Sequence, residues 1–220
     1  MELLIFGHAG TPMLVFPTSM GRFYEYEDHG MVGALASAIQ RGHIQLFCVD
    51  SVDKESWYNK AAHPYWRVQR HLQYEQYLLN DVLPLIRQRN WGPLAVTGTS
   101  FGGYHAVNFA FRHPEQVRWC VALGGAFNIR PFLDGYYDEN AYYHNPPDFV
   151  GGLNDGRLLA QLREMRIVLA TGEKDICLED NRWFSSLLHQ KAIPHWLDVW
   201  GGGSSHDWPC WQQMARKYFD

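Results

Sequence analysis

Short blocks of consecutive apolar residues alternate along this chain with longer stretches whose apolar positions recur at intervals of three and four. The blocks read as strands buried on both faces, and the longer stretches as helices with one apolar side. Strands are predicted at Glu2–Phe6, Met13–Phe16, Gln45–Val49, Leu94–Thr97, Trp119–Leu123, Arg166–Ala170 and His195–Trp200. A helix is predicted over Gly30–Gln40, with Val32, Leu35, Ala36 and Ile39 on one face. A longer one covers Tyr65–Arg89, where Val68, Leu72, Leu79, Val82 and Ile86 form a stripe, and Pro84 kinks or breaks it. Further helices follow Ser100 as far as Arg112, cover Gly156–Glu164 and Arg182–Lys191, and close the chain from Trp208.

Strand and helix in alternation describe an α/β chain, a mostly parallel sheet with helices on both faces, and a single domain over residues 1–220. No repeat, low-complexity tract or linker interrupts it. One connection stands out. Residues 126–152 are rich in aromatics and too long for a plain connector, so they read either as a small cap over a site or as a packed surface loop.

Composition narrows the partners. The net charge of −4 comes without long runs of either sign, so there is no electrostatic footprint for nucleic acid or an anionic membrane surface. No apolar run approaches the roughly 20 residues of a membrane span. Met1–Phe6 is short and carries an acid where a signal peptide carries a base, which favours a cytoplasmic chain. Cys48, Cys120, Cys177 and Cys210 lack metal-ligand spacing. Free thiols are the default for such a chain, with a Cys177–Cys210 bridge as the alternative.

The chemistry centres on Gly98-Thr99-Ser100-Phe101-Gly102, which joins the apolar run Leu94–Thr97 directly to a helix. A G-x-S-x-G between strand and helix lifts the serine out of the sheet on a strained turn, with glycines where strand and helix pass too close for a side chain. A phosphate loop is the rival reading, but neither G-x-x-x-x-G-K nor G-x-G-x-x-G is present. A serine hydroxyl needs an imidazole to take its proton and a carboxylate to orient that imidazole. Among eleven histidines, His206 follows the last strand in WGGGSSHDW, where Gly201–Gly203 let the loop reach across the strand tips. Asp175 ends the strand and turn RIVLATGEKD, with Glu173, Glu179 and Asp180 as rivals in the same loop. Asp198 and Asp207 are less well placed. The oxyanion donors are expected to be the Phe101 N–H and an amide of the loop PTSMGR, at Ser19 or Met20. Tyr24, Trp57, Tyr136, Tyr137 and Trp208 are candidates for lining a substrate pocket, with core packing as the alternative role.

At FPTSMGRFYEYED, VDSVDKESWY, GTSFGGYHA, TGEKD and GGGSSHDWPCW the chain resembles the serine esterases of the α/β-hydrolase fold. That group includes S-formylglutathione hydrolases, enterochelin esterases, feruloyl esterases and mycolyltransferases. The resemblance covers nearly the whole chain and implies Ser100, Asp175 and His206 as a triad, with no metal or organic cofactor. Two departures matter: the common His-Gly is missing from the oxyanion loop, and the chain lacks the extra domains some members carry. The expected reaction is hydrolysis of short-chain or aryl carboxylic esters through an acyl-enzyme, the partner being a small-molecule ester. An acyltransferase or thioesterase on the same triad is the second reading, and a non-catalytic binding protein the third. Oligomeric state is not legible.

Overall fold

The computed structural model describes residues 1–220. Seven strands form one sheet: β1 (Leu3–Phe6), β2 (Thr11–Phe16), β3 (Ile44–Val49), β4 (Leu94–Thr99), β5 (Val117–Leu123), β6 (Arg166–Gly172) and β7 (Trp196–Trp200). Their spatial order is β1-β3-β2-β4-β5-β6-β7, with β1 antiparallel to β3 and every other pair parallel. The chain turns to one side of β2 to make β3 and to the other to make β4. The crevice at such a reversal lies outside the carboxyl ends of the strands, where ligands collect in open α/β sheets.

The helices are α1 (Glu25–Asp28), α2 (Met31–Ala34), α3 (Ala36–Gln40), α4 (Pro64–Tyr77), α5 (Leu83–Arg89), α6 (Phe101–Arg112), α7 (Glu139–Tyr143), α8 (Pro146–Gly152), α9 (Gly156–Glu164), α10 (Leu178–Gln190) and α11 (Trp208–Phe219). Alternation along the strands decides which face each meets. Leu14, Phe16, Phe47, Val49, Val96 and Leu169 face one core, shared with α4, α5, α6 and α8 to α10. Their neighbours Met13, Val15, Leu46, Cys48, Ala95 and Val168 face the other, shared with α1 to α3 and α11.

Four expectations are corrected or refined. The helix predicted over Gly30–Gln40 is two short helices, broken at Leu35, which leaves the helical region; Arg216 Nε takes the Ala34 carbonyl freed there, at 3.1 Å. The expected break near Pro84 takes the form of a π turn at Leu78–Val82, just ahead of the proline, whose ring would otherwise meet the carbonyl one turn earlier. The buried stripe also differs from the expected one: Leu72 and Leu79 are half-buried while Tyr74 and Leu78 are buried. The helix predicted from Arg182 begins at Leu178, with Glu179 and Asp180 in a first turn that favours negative charge. Residues 126–152 are no irregular loop but a 3-10 turn at Arg130–Phe132 followed by α7 and α8.

Phe184 of α10 is fully buried, its ring 4.8 Å from that of Phe127 and 5.7 Å from that of Phe111. It thereby ties α10 to α6 and to the aromatic segment. Phe184→Ala is expected to lower stability by about 3–5 kcal/mol, read from the urea midpoint.

Candidate active site

β4 runs into α6 with no connector. A Cβ on Gly98 would lie 2.2 Å from the Gly102 carbonyl oxygen, and one on Gly102 would lie 2.5 Å from that of Phe16. Only glycines allow this approach. Ser100 turns the chain at φ 56° and ψ −122°, a conformation strained for a side-chain-bearing residue. Its own N–H donates to the Leu123 carbonyl at the end of β5, 2.9 Å away. The hydroxyl stands half-buried at the positive end of α6.

The turn after β6 places Asp175, and the loop after β7 places His206. These two loops are bound together: Lys174 N–H donates to Ser204 O at 2.9 Å, and Gly203 N–H to Glu173 Oε1 at 2.6 Å. Glycines 202 and 203, at φ 71° and 84°, let the chain make that crossing. His206 Nδ1–H donates to Asp175 Oδ1 at 2.7 Å, and Ser100 Oγ donates to His206 Nε2 at 2.9 Å. Trp211 packs edge-on to the imidazole with ring centres 4.8 Å apart, which restrains the ring. The three predicted side chains, spread over half the chain, are thus in one hydrogen-bonded line.

Burial pushes the Asp175 carboxyl up, but the hydrogen bonds from His206 and from Cys177 N–H outweigh it and hold the group below its ordinary value. Asp175, Cys177 and His206 are also the one set of side chains close enough to share a cation, their donor atoms within 4.8 Å of one another. Burial, with Asp175 and Asp180 nearby, pushes the Cys177 thiol up to about 12, so it is a protonated thiol at neutral pH and a poor ligand. Cys177 and Cys210 are both free; Cys210 Sγ instead accepts from Ser205 N–H at 3.3 Å.

The rivals have other work. Asp207 caps α11 through Cys210 N–H, Asp198 pairs with Lys217, and Asp180 and Glu179 lie in the first turn of α10. His105 faces Asp53, His113 and His144 face Glu75, and His195 faces Ser185.

Ser100 opens on a cleft of about 300 Å³ lined by Thr18, Ser19, Ser100, His206, Asp207, Trp208 and Trp211. Of the five aromatic residues expected to line a pocket, Trp208 does, stacked on His29 at 4.5 Å. Trp57 is fully buried among Phe101, Tyr104 and Val68, beneath the turn, and reaches no ligand. Tyr24 packs on Phe23 away from the cleft, while Tyr136 and Tyr137 donate to Asp138 and Asp148. Thr18, Asp207 and Trp211 had no signal in the sequence as lining residues. Among the oxyanion candidates, Phe101 N–H is the first of its helix and has no intrahelical acceptor. Met20 N–H is engaged by Asp53 Oδ2 at 3.0 Å, which removes it as a donor. Thr18 N–H donates to Glu25 and Gly21 N–H to Thr18 O, and of the two candidate amides Ser19 N–H is the one without an acceptor in the chain.

Fold and site together define an α/β-hydrolase with the layout of a serine hydrolase. Residues 23–216 match the family described as "Putative esterase", and the chain belongs to it: it is an esterase, and carboxylic ester hydrolysis is its reaction class. Solved structures with the same fold include a ferulic acid esterase, with TM-score 0.73 and 17% identity over 96% of this chain and 83% of that one. S-formylglutathione hydrolase from Agrobacterium tumefaciens matches with TM-score 0.72 and 16% identity, covering 96% and 82%. The S-formylglutathione hydrolase of Staphylococcus aureus gives 0.69 and 16%, covering 97% and 81%. A search of curated proteins finds no match. No helix is long and apolar enough to cross a membrane.

Two outcomes follow. Gly124 sits at φ 58°, and a Cβ there would lie 2.7 Å from Asp175 Oδ2 and 3.2 Å from His206 Nδ1. Gly124→Ala is therefore expected to lower kcat on the order of 10²-fold, by displacing the Asp–His pair while the sheet stays folded. The Asp175 carboxyl has a folded-state pKa below its unfolded one, so its contribution to stability is full above the unfolded value and lost as pH falls through the folded one. The wild type's stability advantage over Asp175→Asn should hold at neutral pH and shrink once pH drops below about 3.9, followed by denaturant midpoints.

Proposed function

We propose that Ser100, His206 and Asp175 carry out ester hydrolysis through an acyl-enzyme, on short-chain or aryl esters. The observation that carries this reading is the single imidazole bridging a strained serine and a buried carboxylate, at 2.9 and 2.7 Å. His206 Nε2 takes the hydroxyl proton as Ser100 Oγ attacks the ester carbonyl carbon. The carbonyl electrons move onto oxygen, and that oxyanion accepts hydrogen bonds from the Phe101 and Ser19 N–H groups. Collapse breaks the bond to the alcohol oxygen, which leaves with the proton from His206. Water then attacks the acyl-serine, with His206 again as base, and releases the acid and free Ser100. Asp175 holds Nδ1–H throughout and stabilises the imidazolium.

The acyl preference rests on the cleft, which is at the small end for a ligand site and bounded by Trp208 and Trp211. Residues 126–152 serve in this reading as a small cap beside the nucleophile, Phe132 packing on Phe101 at 5.2 Å between ring centres. A cytoplasmic setting accords with four free cysteines. Transfer of the acyl group to an alcohol or hydrolysis of a thioester would use the same intermediate, and the product ratio with added alcohols separates these from plain hydrolysis.

The test is hydrolysis of p-nitrophenyl esters of increasing chain length. Acetate and butyrate should be turned over faster than long-chain esters. Ser100→Ala and His206→Ala should each lose on the order of 10³-fold or more in kcat, and Asp175→Asn roughly 10²–10⁴-fold. The Ser100→Ala/His206→Ala pair should lose hardly more than either alone; losses that multiply would overturn the assignment.

A further inference from the structure

The loop that follows β2 is fastened residue by residue to the segment that follows β3. Tyr58 O–H donates to Ser19 Oγ at 2.8 Å and Met20 N–H to Asp53 Oδ2 at 3.0 Å. Ser51 Oγ donates to Gly21 O at 3.1 Å and Arg22 Nε to Asp50 Oδ1 at 2.7 Å. Four successive loop residues thus each have a partner between residues 50 and 58. One partner does more than the rest. Asp53 is fully buried, and its other oxygen, Oδ1, accepts from His105 Nε2 at 2.9 Å. His105 lies one helical turn beyond Phe101 on α6. Its ring is enclosed by Phe16 at 5.8 Å and Phe101 at 5.2 Å, so it cannot swing to follow a moving loop.

A carboxylate only accepts, and it accepts at two oxygens at once; that lets one side chain join donors from two separate elements. Here the two elements are those that present the proposed oxyanion donors. We propose that Asp53 is the positioning residue of the oxyanion hole, fixing the spacing between the Ser19 and Phe101 amides by tying Met20 N–H to His105. This rests on the reading of Ser100 as the nucleophile. Met20 supplies a second reason. It stands at φ 56°, in the left-handed region that residues with a Cβ rarely adopt, and a loop so strained stays put only when neighbouring groups hold it. Ser19 is the residue directly before it. Donors fixed in advance stabilise the oxyanion without reorganising at the moment of attack, so the contribution of Asp53 belongs to the transition state and not to substrate binding.

The experiment compares Asp53→Ala, Asp53→Asn and Asp53→Glu with the wild type on p-nitrophenyl butyrate, together with inhibition by a short alkyl trifluoromethyl ketone. That ketone forms a tetrahedral oxyanion on the serine, whereas the matching methyl ketone serves as a ground-state analogue. Asp53→Ala should lower kcat by about 10²–10³-fold with KM changed less than about threefold. Asp53→Asn should recover much of that loss, since its amide oxygen still accepts from Met20 N–H while its NH₂ meets the other tautomer of His105. Across the series, log Ki for the trifluoromethyl ketone should track log kcat/KM, and methyl ketone binding should not move. A merely structural role would lower Tm and leave kcat and ketone affinity within threefold, and that result overturns the proposal. If Asp53→Ala does not fold, the correlation over the Asn and Glu variants decides alone. Ser100→Ala separates the two readings: an active Ser100→Ala enzyme defeats the nucleophile assignment, whereas an inactive one beside unaffected Asp53 variants defeats only this inference.

Discussion

The approach of α6 to β4 and β2, closer than any side chain permits, sets the terms for the rest of the molecule. With Gly98 against Gly102 and Gly102 against the Phe16 carbonyl, there is no room for a connector between strand and helix. The chain reverses at a single residue, and that residue is Ser100 at φ 56°. Such a conformation costs on the order of 1–3 kcal/mol. The burial of α6 offsets it: every residue from Phe101 to Phe111 is buried, between the sheet on one side and α4, α8 and the aromatic segment on the other. A helix enclosed on all sides cannot relax away from the strand, so the serine stays raised at the sheet edge where β6 and β7 deliver Asp175 and His206.

Charge is distributed around α6 with the same logic. At its amino end lie the open amide of Phe101 and a carboxylate, Asp175, that its partners keep ionised. Along its flank lie three buried histidines, His71, His105 and His144. Burial, with nearby positive groups, pushes His144 down to about 3 and His71 well below its ordinary value, so both are neutral at physiological pH. Asn108 bridges them at 3.2 and 3.1 Å. At the far end Glu75 is ionised despite burial, because His113 and Arg112 hydrogen-bond to it. The flank therefore adds polarity and fixed geometry without placing a bare charge against the apolar core.

Much of this was legible in the sequence because it is local or follows from order along the chain. The seven strand blocks are mostly apolar, since both faces of the sheet are covered over its central strands, and each lies within a few residues of its expected bounds. Ser100 is marked by glycines that sit there for steric reasons, and Asp175 and His206 by their places after strands at one sheet edge. What was not legible depends on side chains meeting across long separations. Nothing in the sequence separates Trp57, sealed beneath the nucleophile turn, from Trp208, which lines the cleft; both are single tryptophans beside polar residues. The π turn before Pro84 and the break at Leu35 are likewise set by neighbours. Asp53, inside VDSVDKESWY, reads as one acid in a polar turn, and its burial follows only once β3 has placed it beneath the β2 loop.

The oxyanion loop shows why a motif can be absent while its geometry is present. FPTSMG has no glycine before Gly21, yet Met20 adopts a conformation natural to glycine. A glycine would make that turn easy and also make it loose. A residue with a Cβ, pinned there by a buried carboxylate, gives the turn at some cost in strain but with far fewer alternatives. Rigidity then comes from residues some thirty positions further along the chain, which is why no local pattern announces it. The arrangement suits a site whose cleft is shallow and open: with little substrate surface to grip, the surrounding loops must already hold the oxyanion donors in place before the ester arrives.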